Sequence, residues 1–363
     1  MRVLVFSHSP VGRQMAGPGI RSWHFAQELA TDHDVVLAAP GDSGGVPENV
    51  RGVSWTRTWD VHHELTKADV VVTQLMTPRL ALAASRANTR CIVDAYDPMV
   101  FESIETTRLD DPRRRRLFLR KEVAIVNIAL LSADAIVCAS ERQRDMWLGG
   151  LAALGRLDPA WVDTDPVRVV PFGLPDEPPK RDGPGIRARF GLAPDDIVVV
   201  WGGGVWHWLD PYTPLEAMRL LRRSHPQIKL VYLGTSPPNA PRVAGRATER
   251  FRSMVADSGL QNETVFLNDG WVPYEQRGDL LLDADLAISM APKSLETRFA
   301  FRTRLLDYLW CGLPMILSEG DELSDRAGAS GWGTVVTPGD VAATAEALRH
   351  YAESPSARLE AQQ

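Results

Sequence analysis

Residues 296–314, ETRFAFRTRLLDYLWCGLP, bring two arginines and a carboxylate together at spacings that suit phosphate and sugar hydroxyl groups. Leu305, Leu306, Leu309 and Trp310 recur at helical spacing, Gly312 and Pro314 end the helix, and MILS (315–318) reads as a buried strand. A helix that begins near Thr303 aims its free N–H groups and positive dipole end the same way as Arg302 and Arg304. That combination is an anion site suited to a diphosphate. Asp307 stands three residues after Arg304, one turn on, where a carboxylate can accept hydrogen bonds from a ribose. The same spacing equally fits a plain surface ion pair.

Other stretches carry weaker signals. SHSPVGRQMAGPGIRSW (7–23) sets Gly17 and Gly19 just before a helix with Arg21 inside it, a place where a ligand can approach backbone, or simply a Gly-Pro turn. It lacks the G-x-G-x-x-G dinucleotide fingerprint, which argues against a nicotinamide or flavin enzyme. Asp94, Tyr96 and Asp97 follow the strand RCIVDA, and carboxylates at strand carboxyl ends can hold an acceptor hydroxyl or act as a base; Asp97-Pro98 also fits a turn or helix cap. In GGGVWHWLDP (202–211), Gly203, Gly204 and His207 have the form of a loop that cradles phosphate or sugar, without the Lys-Ser/Thr of a Walker loop. Trp271 and Tyr274 could line a nucleobase slot or pack their own loop, and the lone His8 reads as structural.

The run RRRRLFLRK (113–121) places six cations, Arg113, Arg114, Arg115, Arg116, Arg120 and Lys121, around an apolar trio. It suits acidic lipid headgroups, and it suits a solvated helix face.

The elements that would position these groups alternate. RVLVF (2–6), VVLAA (35–39), ADVVVT (68–73), RCIVDA (90–95), ADAIVCA (133–139) and VRVVPFG (167–173) are short apolar runs separated by helical segments. DIVVVWGG (196–203), IKLVYLG (228–234), TVFLND (264–269), ADLAISM (284–290), PMILS (314–318) and GTVVT (333–337) repeat the pattern. Continuous apolar runs of this length are strands buried on both faces, so the expected class is α/β with parallel sheets. LPDEPPKRDGPG (174–185) has linker composition, which divides the chain into domains 1–175 and 176–363, two doubly wound, Rossmann-like units expected to face a central cleft. The last helix could fray or pack back toward the first domain.

The length of 363 residues agrees with two domains, and hydrophobic and charged fractions of 44% and 24% are those of a soluble globular chain. A net charge of −6 argues against a nucleic-acid partner. Cys91, Cys138 and Cys311 show no C-x-x-C spacing and read as small buried hydrophobes, in keeping with a cytoplasmic location. MRVLVFSHSP has no signal-peptide form, and no apolar window is long enough to span a membrane.

Taken in order, AGPGIR (16–21), VDAYDPM (93–99), ADAIVCASERQRDMWLGGL (133–151), VVPFGLP (169–175), WGGGVWHWLDP (201–211), WVPYEQR (271–277) and FRTRLLDYLWCGLP (301–314) resemble the family-4 retaining glycosyltransferases of the GT-B fold. The subgroup most like it comes from polysaccharide and secondary-metabolite clusters. The resemblance implies a two-domain enzyme with an N-terminal acceptor domain and a C-terminal nucleotide-sugar domain. It implies hexosyl transfer from a nucleoside diphosphate sugar to an acceptor hydroxyl or amine, in polysaccharide, lipopolysaccharide or secondary-metabolite synthesis. It makes Asp307 the ribose ligand, Arg304 the diphosphate-side cation, and Gly17 and Gly19 an approach to the diphosphate across the cleft. Two departures stand out. The family pattern has two glutamates eight residues apart; the second is here Asp307 and the first Phe299, so that Glu296 replaces it or the contact is lost. Where members often have a histidine, Asp94 or Asp97 stands.

Candidate catalytic residues are therefore Asp94, Asp97, Glu296 and Arg304. Donor contacts are expected from Gly17, Gly19, Arg21, Gly203, Gly204, His207, Trp271, Tyr274, Arg302, Arg304 and Asp307. Arginines and a helix N-terminus suffice to stabilise a departing diphosphate, and with no Asp-x-Asp motif in a suitable place the expected chemistry needs neither metal nor cofactor. The basic run would hold the enzyme at the inner membrane face. Two rival readings are a nucleotide-sugar 2-epimerase and a non-catalytic subunit that binds nucleotide sugar; a C–N coupling pseudo-glycosyltransferase is a closer variant.

Overall fold

The structure, a computed structural model, describes residues 1–41, 45–108, 110–157, 159–163, 165–235 and 242–362. The chain divides into two compact units, Met1–Phe172 and Gly173–Gln363.

The first unit is built on a seven-stranded parallel sheet: β1 Arg2–Phe6, β2 Asp34–Pro40, β3 Val50–Trp55, β4 Val70–Thr73, β5 Arg90–Asp94, β6 Ala135–Cys138 and β7 Val167–Val169. Their order is β3-β2-β1-β4-β5-β6-β7, with every pairing parallel. Leu4, Phe6, Val36, Val71, Val93 and Ile136 meet in one buried cluster, as strands covered on both faces require. β3 was not expected. It lies at the sheet edge with Arg51 and Gly52 exposed, so it lacks the unbroken apolar run that marks the others.

The second unit carries six parallel strands: β8 Ile197–Gly204, β9 Ile228–Gly234, β10 Val265–Leu267, β11 Leu286–Ser289, β12 Met315–Ser318 and β13 Gly333–Val336, in the order β10-β9-β8-β11-β12-β13. Val199, Trp201, Leu230, Tyr232, Ile288 and Ile316 fill one side of the sheet, and Val198, Val200, Val231, Ala287, Met315 and Leu317 the other. Asp210 accepts from the backbone N–H groups of Tyr212 and Thr213 at 3.1 and 3.0 Å, capping the helix Tyr212–Leu221. The last helix, Pro355–Ala361, sets Ala357 and Ala361 against the core of its own unit. In each sheet the order reverses at one place, beside β1 and beside β8, and ligands of such sheets bind outside the strand carboxyl ends at that place.

Candidate functional site

β8 ends in Gly202, Gly203 and Gly204, at the point where the second sheet reverses. Gly203 has φ 74°, a left-handed conformation that side chains other than glycine adopt at a cost. The helix Thr303–Trp310 is fastened to this strand end by two side chains one turn apart. Gly202 N–H donates to the Tyr308 hydroxyl at 2.7 Å, and Arg304 Nη2 donates to the Gly204 carbonyl at 3.1 Å.

Arg304 is the unusual member. Its guanidinium lies 5.1 Å from the Trp201 ring centroid, and Nη1 is buried without a hydrogen-bond partner. Burial lowers its pKa to about 10, with Tyr308 opposing the fall and Arg302 adding to it; it stays charged at neutral pH. A buried, incompletely bonded cation costs folding free energy unless an anion completes it. The helix that carries it starts at Thr303 with no side-chain cap on its first turn, where Leu305 N–H donates to the Arg302 carbonyl at 2.9 Å. Cation, helix start and glycine strand end lie together at the point where the second sheet reverses.

Arg302 and Glu296 are partners. Arg302 Nη1 and Nη2 donate to the two Glu296 oxygens at 2.8 and 2.6 Å, and the side chains are 8% and 1% exposed. The pair neutralises itself inside the second unit. Both side chains, expected at the diphosphate and in catalysis respectively, are thus engaged with each other. Asp321, buried nearby, has its carboxyl pushed up by burial while Arg302 holds it back.

Asp307 lies one turn beyond Arg304, but its ion-pair partner is Arg277, whose Nε donates to Oδ1 at 2.9 Å. The Asp307 side chain remains 32% exposed. Tyr274 opens the turn Tyr274–Gln276, its ring is 3.7 Å from the Arg277 guanidinium carbon, and burial raises its pKa. Trp271 is partly buried on the same loop. Trp206 and Trp208 stack at 5.3 Å, 3° from parallel, with the partly buried His207 between them in sequence.

In the first unit, Arg21 Nε donates to both Asp94 oxygens at 2.8 Å, its Nη2 donates to the Val170 carbonyl at 2.8 Å, and both side chains are buried. Phe25, Tyr96 and Phe172 surround the guanidinium at 4.7, 5.1 and 4.7 Å. Burial pushes the Asp94 carboxyl above its usual range, against the pull of Arg21. Arg21 and Asp94, expected at the donor and in proton transfer, form a buried ion pair with each other. Gly19 has a structural reason too, since a Cβ there would stand 2.2 Å from the Pro10 carbonyl oxygen. Gly17 is the first residue of the helix Gly17–Leu29.

Asp97 is the carboxylate that stays accessible, half-buried on the loop after β5. That loop is fixed by Trp147 Nε1, which donates to the Ala95 carbonyl at 2.7 Å, and by Gln143 Nε2, which donates to that of Tyr96 at 2.5 Å. Asp97, Gln74 and Trp147 line a cavity of about 20 Å³, room for one water. Cys91 and Cys138 are buried and Cys311 half-buried, and burial raises their thiols to about 12, 11 and 12, so none is a nucleophile at neutral pH.

Residues 197–354 match the family of glycosyl transferases, group 1. That match lies within the second unit, and the whole chain has the GT-B fold. No curated protein matches it by sequence. Among solved structures it is similar to WaaG, a glycosyltransferase involved in lipopolysaccharide biosynthesis, with TM-score 0.70 and 16% identity over 99% of this chain and 93% of that one. Anabaena HepE in complex with UDP and glucose follows at TM-score 0.64 and 14% identity, over 100% and 93%. Sucrose-phosphate synthase from Thermosynechococcus elongatus has TM-score 0.61 and 15% identity, over 100% and 92%.

Proposed function

We propose that this chain is a retaining glycosyltransferase that moves a sugar from a nucleoside diphosphate sugar to an acceptor hydroxyl or amine in polysaccharide, lipopolysaccharide or secondary-metabolite synthesis. The observation that carries the reading is Arg304, a partly buried side chain whose Nη1 is buried and unbonded, at a helix start without a side-chain cap beside Gly203 and Gly204. These groups receive the diphosphate, and Asp307 accepts hydrogen bonds from the ribose. As the bond from the anomeric carbon to the diphosphate oxygen breaks, Arg304 and the helix N–H groups stabilise the charge that develops. The acceptor oxygen bonds to the same face of the sugar and its proton passes to the departing phosphate oxygen, so the step uses no protein nucleophile, metal or cofactor. In the first unit, Asp97 is the accessible carboxylate that we assign to an acceptor hydroxyl. HepE has been solved with UDP-glucose, which supports a nucleotide-sugar donor by analogy of fold.

The acceptor is presented at an anionic membrane surface inside the cell. On the helix Pro112–Ser132, Arg113, Leu117, Arg120 and Ala124 follow one stripe, all exposed, with Leu117 at 72%. Beside it a groove of about 590 Å³ is lined by Arg108, Arg115, Arg116 and Arg120, with Asp110 as its one acid. No described helix is long and apolar enough to cross a membrane. An apolar tip ringed by cations is the pattern that seats a helix at headgroup level.

The test is slow transfer to water from a panel of nucleoside diphosphate sugars, followed by proton NMR. Release of nucleoside diphosphate together with a sugar whose anomeric configuration is unchanged supports the reading. Inversion overturns its retaining part, and a donor epimerised at C2 without nucleotide release would establish the epimerase instead.

A further inference from the structure

Arg277 was not singled out by the sequence, yet it is the best-anchored side chain around Asp307. It begins the short helix Arg277–Leu281, and its guanidinium carbon lies 3.7 Å from the ring centroid of Tyr274 and 4.7 Å from that of Trp310. Trp310 is itself fixed, since its Nε1 donates to the Glu177 carbonyl at 2.8 Å. Arg277 Nη1 donates to the Tyr274 carbonyl at 2.9 Å and Nε to Asp307 Oδ1 at 2.9 Å. The plane of the guanidinium is thus set by two rings and two hydrogen bonds, and the side chain is only 16% exposed.

The lateral edge of a guanidinium carries two N–H groups, on Nε and Nη2, spaced to match a carboxylate in a double bond. Here only Nε is engaged with Asp307. The edge therefore presents an N–H donor, on Nη2, alongside a carboxylate acceptor on a rigid support. A vicinal diol is complementary to that arrangement, because one hydroxyl can donate to the carboxylate while its neighbour accepts from the N–H. A lone hydroxyl fills half of it.

We infer that Arg277 is a specificity-determining residue of the donor site, reading the ribose 2′,3′-diol together with Asp307, so that the donor is a ribonucleotide and not a 2′-deoxynucleotide. This rests on the proposed binding of a nucleoside diphosphate near Asp307. A site built to hydrogen-bond a hydroxyl rejects analogues that lack it, because its own polar groups are then left unpaired. The two rings also explain how an aspartate serves here: the shorter carboxylate is held by a partner that lies within cation–π distance of both.

The experiment compares affinities of UDP, GDP and ADP with those of their 2′-deoxy and 3′-deoxy counterparts, and of inorganic pyrophosphate, for wild type, Arg277→Met and Arg277→Lys. The expected result is a preference of roughly tenfold or more for the ribonucleotide in the wild type. It should shrink to within about threefold in Arg277→Met, with pyrophosphate affinity unchanged and Arg277→Lys in between. Melting temperatures of the two variants separate a folding defect from a change in recognition, and the lysine variant keeps the charge if the methionine variant unfolds. A ribose preference untouched by either substitution, or a pyrophosphate affinity that falls in parallel with the nucleotide, overturns the inference while leaving the glycosyltransferase reading intact. Failure of every nucleotide to bind wild type overturns both.

Discussion

Glu296 and Arg302 face each other as a parallel two-bond pair, at 2.8 and 2.6 Å, sealed inside the second unit. Removing one member leaves a buried charge without its counter-ion, whereas removing both leaves a cavity of ordinary size. Glu296→Gln is therefore expected to cost about 3–5 kcal/mol in urea denaturation. The double variant Glu296→Gln/Arg302→Met should regain most of that loss. If the single variant keeps full stability but loses turnover, Glu296 is catalytic after all.

His8 sets a pH dependence in the first unit. Burial lowers its pKa from 6.5 to about 4, against the raising effect of the Leu75 carbonyl, and it packs on Phe6 and Trp55 at 4.5 and 6.0 Å. The folded state keeps the ring neutral while the unfolded chain binds a proton near pH 6.5. Stability is thus fully present above about pH 6.5 and is lost as pH falls toward 4, by about 3 kcal/mol in all. Denaturation midpoints between pH 7 and pH 4 should show that loss, and His8→Gln should flatten it. Equal slopes in both proteins would remove His8 from the explanation.

The helix Pro112–Ser132 should bring the protein to vesicles containing phosphatidylglycerol but not to pure phosphatidylcholine. Each cation near such a surface contributes about 1 kcal/mol, so Arg116→Gln/Arg120→Gln should weaken co-sedimentation roughly thirtyfold, and added salt should do likewise. Leu117→Asp tests the apolar part. Binding that ignores all three changes would mean that this face is only solvated.

Much of the architecture was legible because buried parallel strands leave unbroken apolar runs, and β8, β9 and β12 are clear instances. β3 escaped because an edge strand needs no such run. Within the site, Arg304 could be found from its place before the Gly-x-Pro that stops its helix. The pairings could not. Arg21 meets Asp94 across 73 residues and Arg277 meets Asp307 across 30, and no local spacing records either encounter. A carboxylate at a strand end reads the same whether it faces a substrate or an arginine. Only tertiary packing separates Asp94, which is consumed by Arg21, from Asp97, which is not buried with it.

The central claim is that Arg304 and the helix start at Thr303 hold a diphosphate. The most direct measurement is a thermal shift of wild type and Arg304→Met with UDP, GDP, ADP, CDP and dTDP. A nucleotide at 100 times its dissociation constant adds about 2.7 kcal/mol, several degrees for units of this size. We expect at least one to stabilise wild type by that amount and to leave Arg304→Met, itself no less stable than wild type without ligand, unshifted. Equal shifts in both proteins, or none in wild type with any nucleotide, would contradict the account.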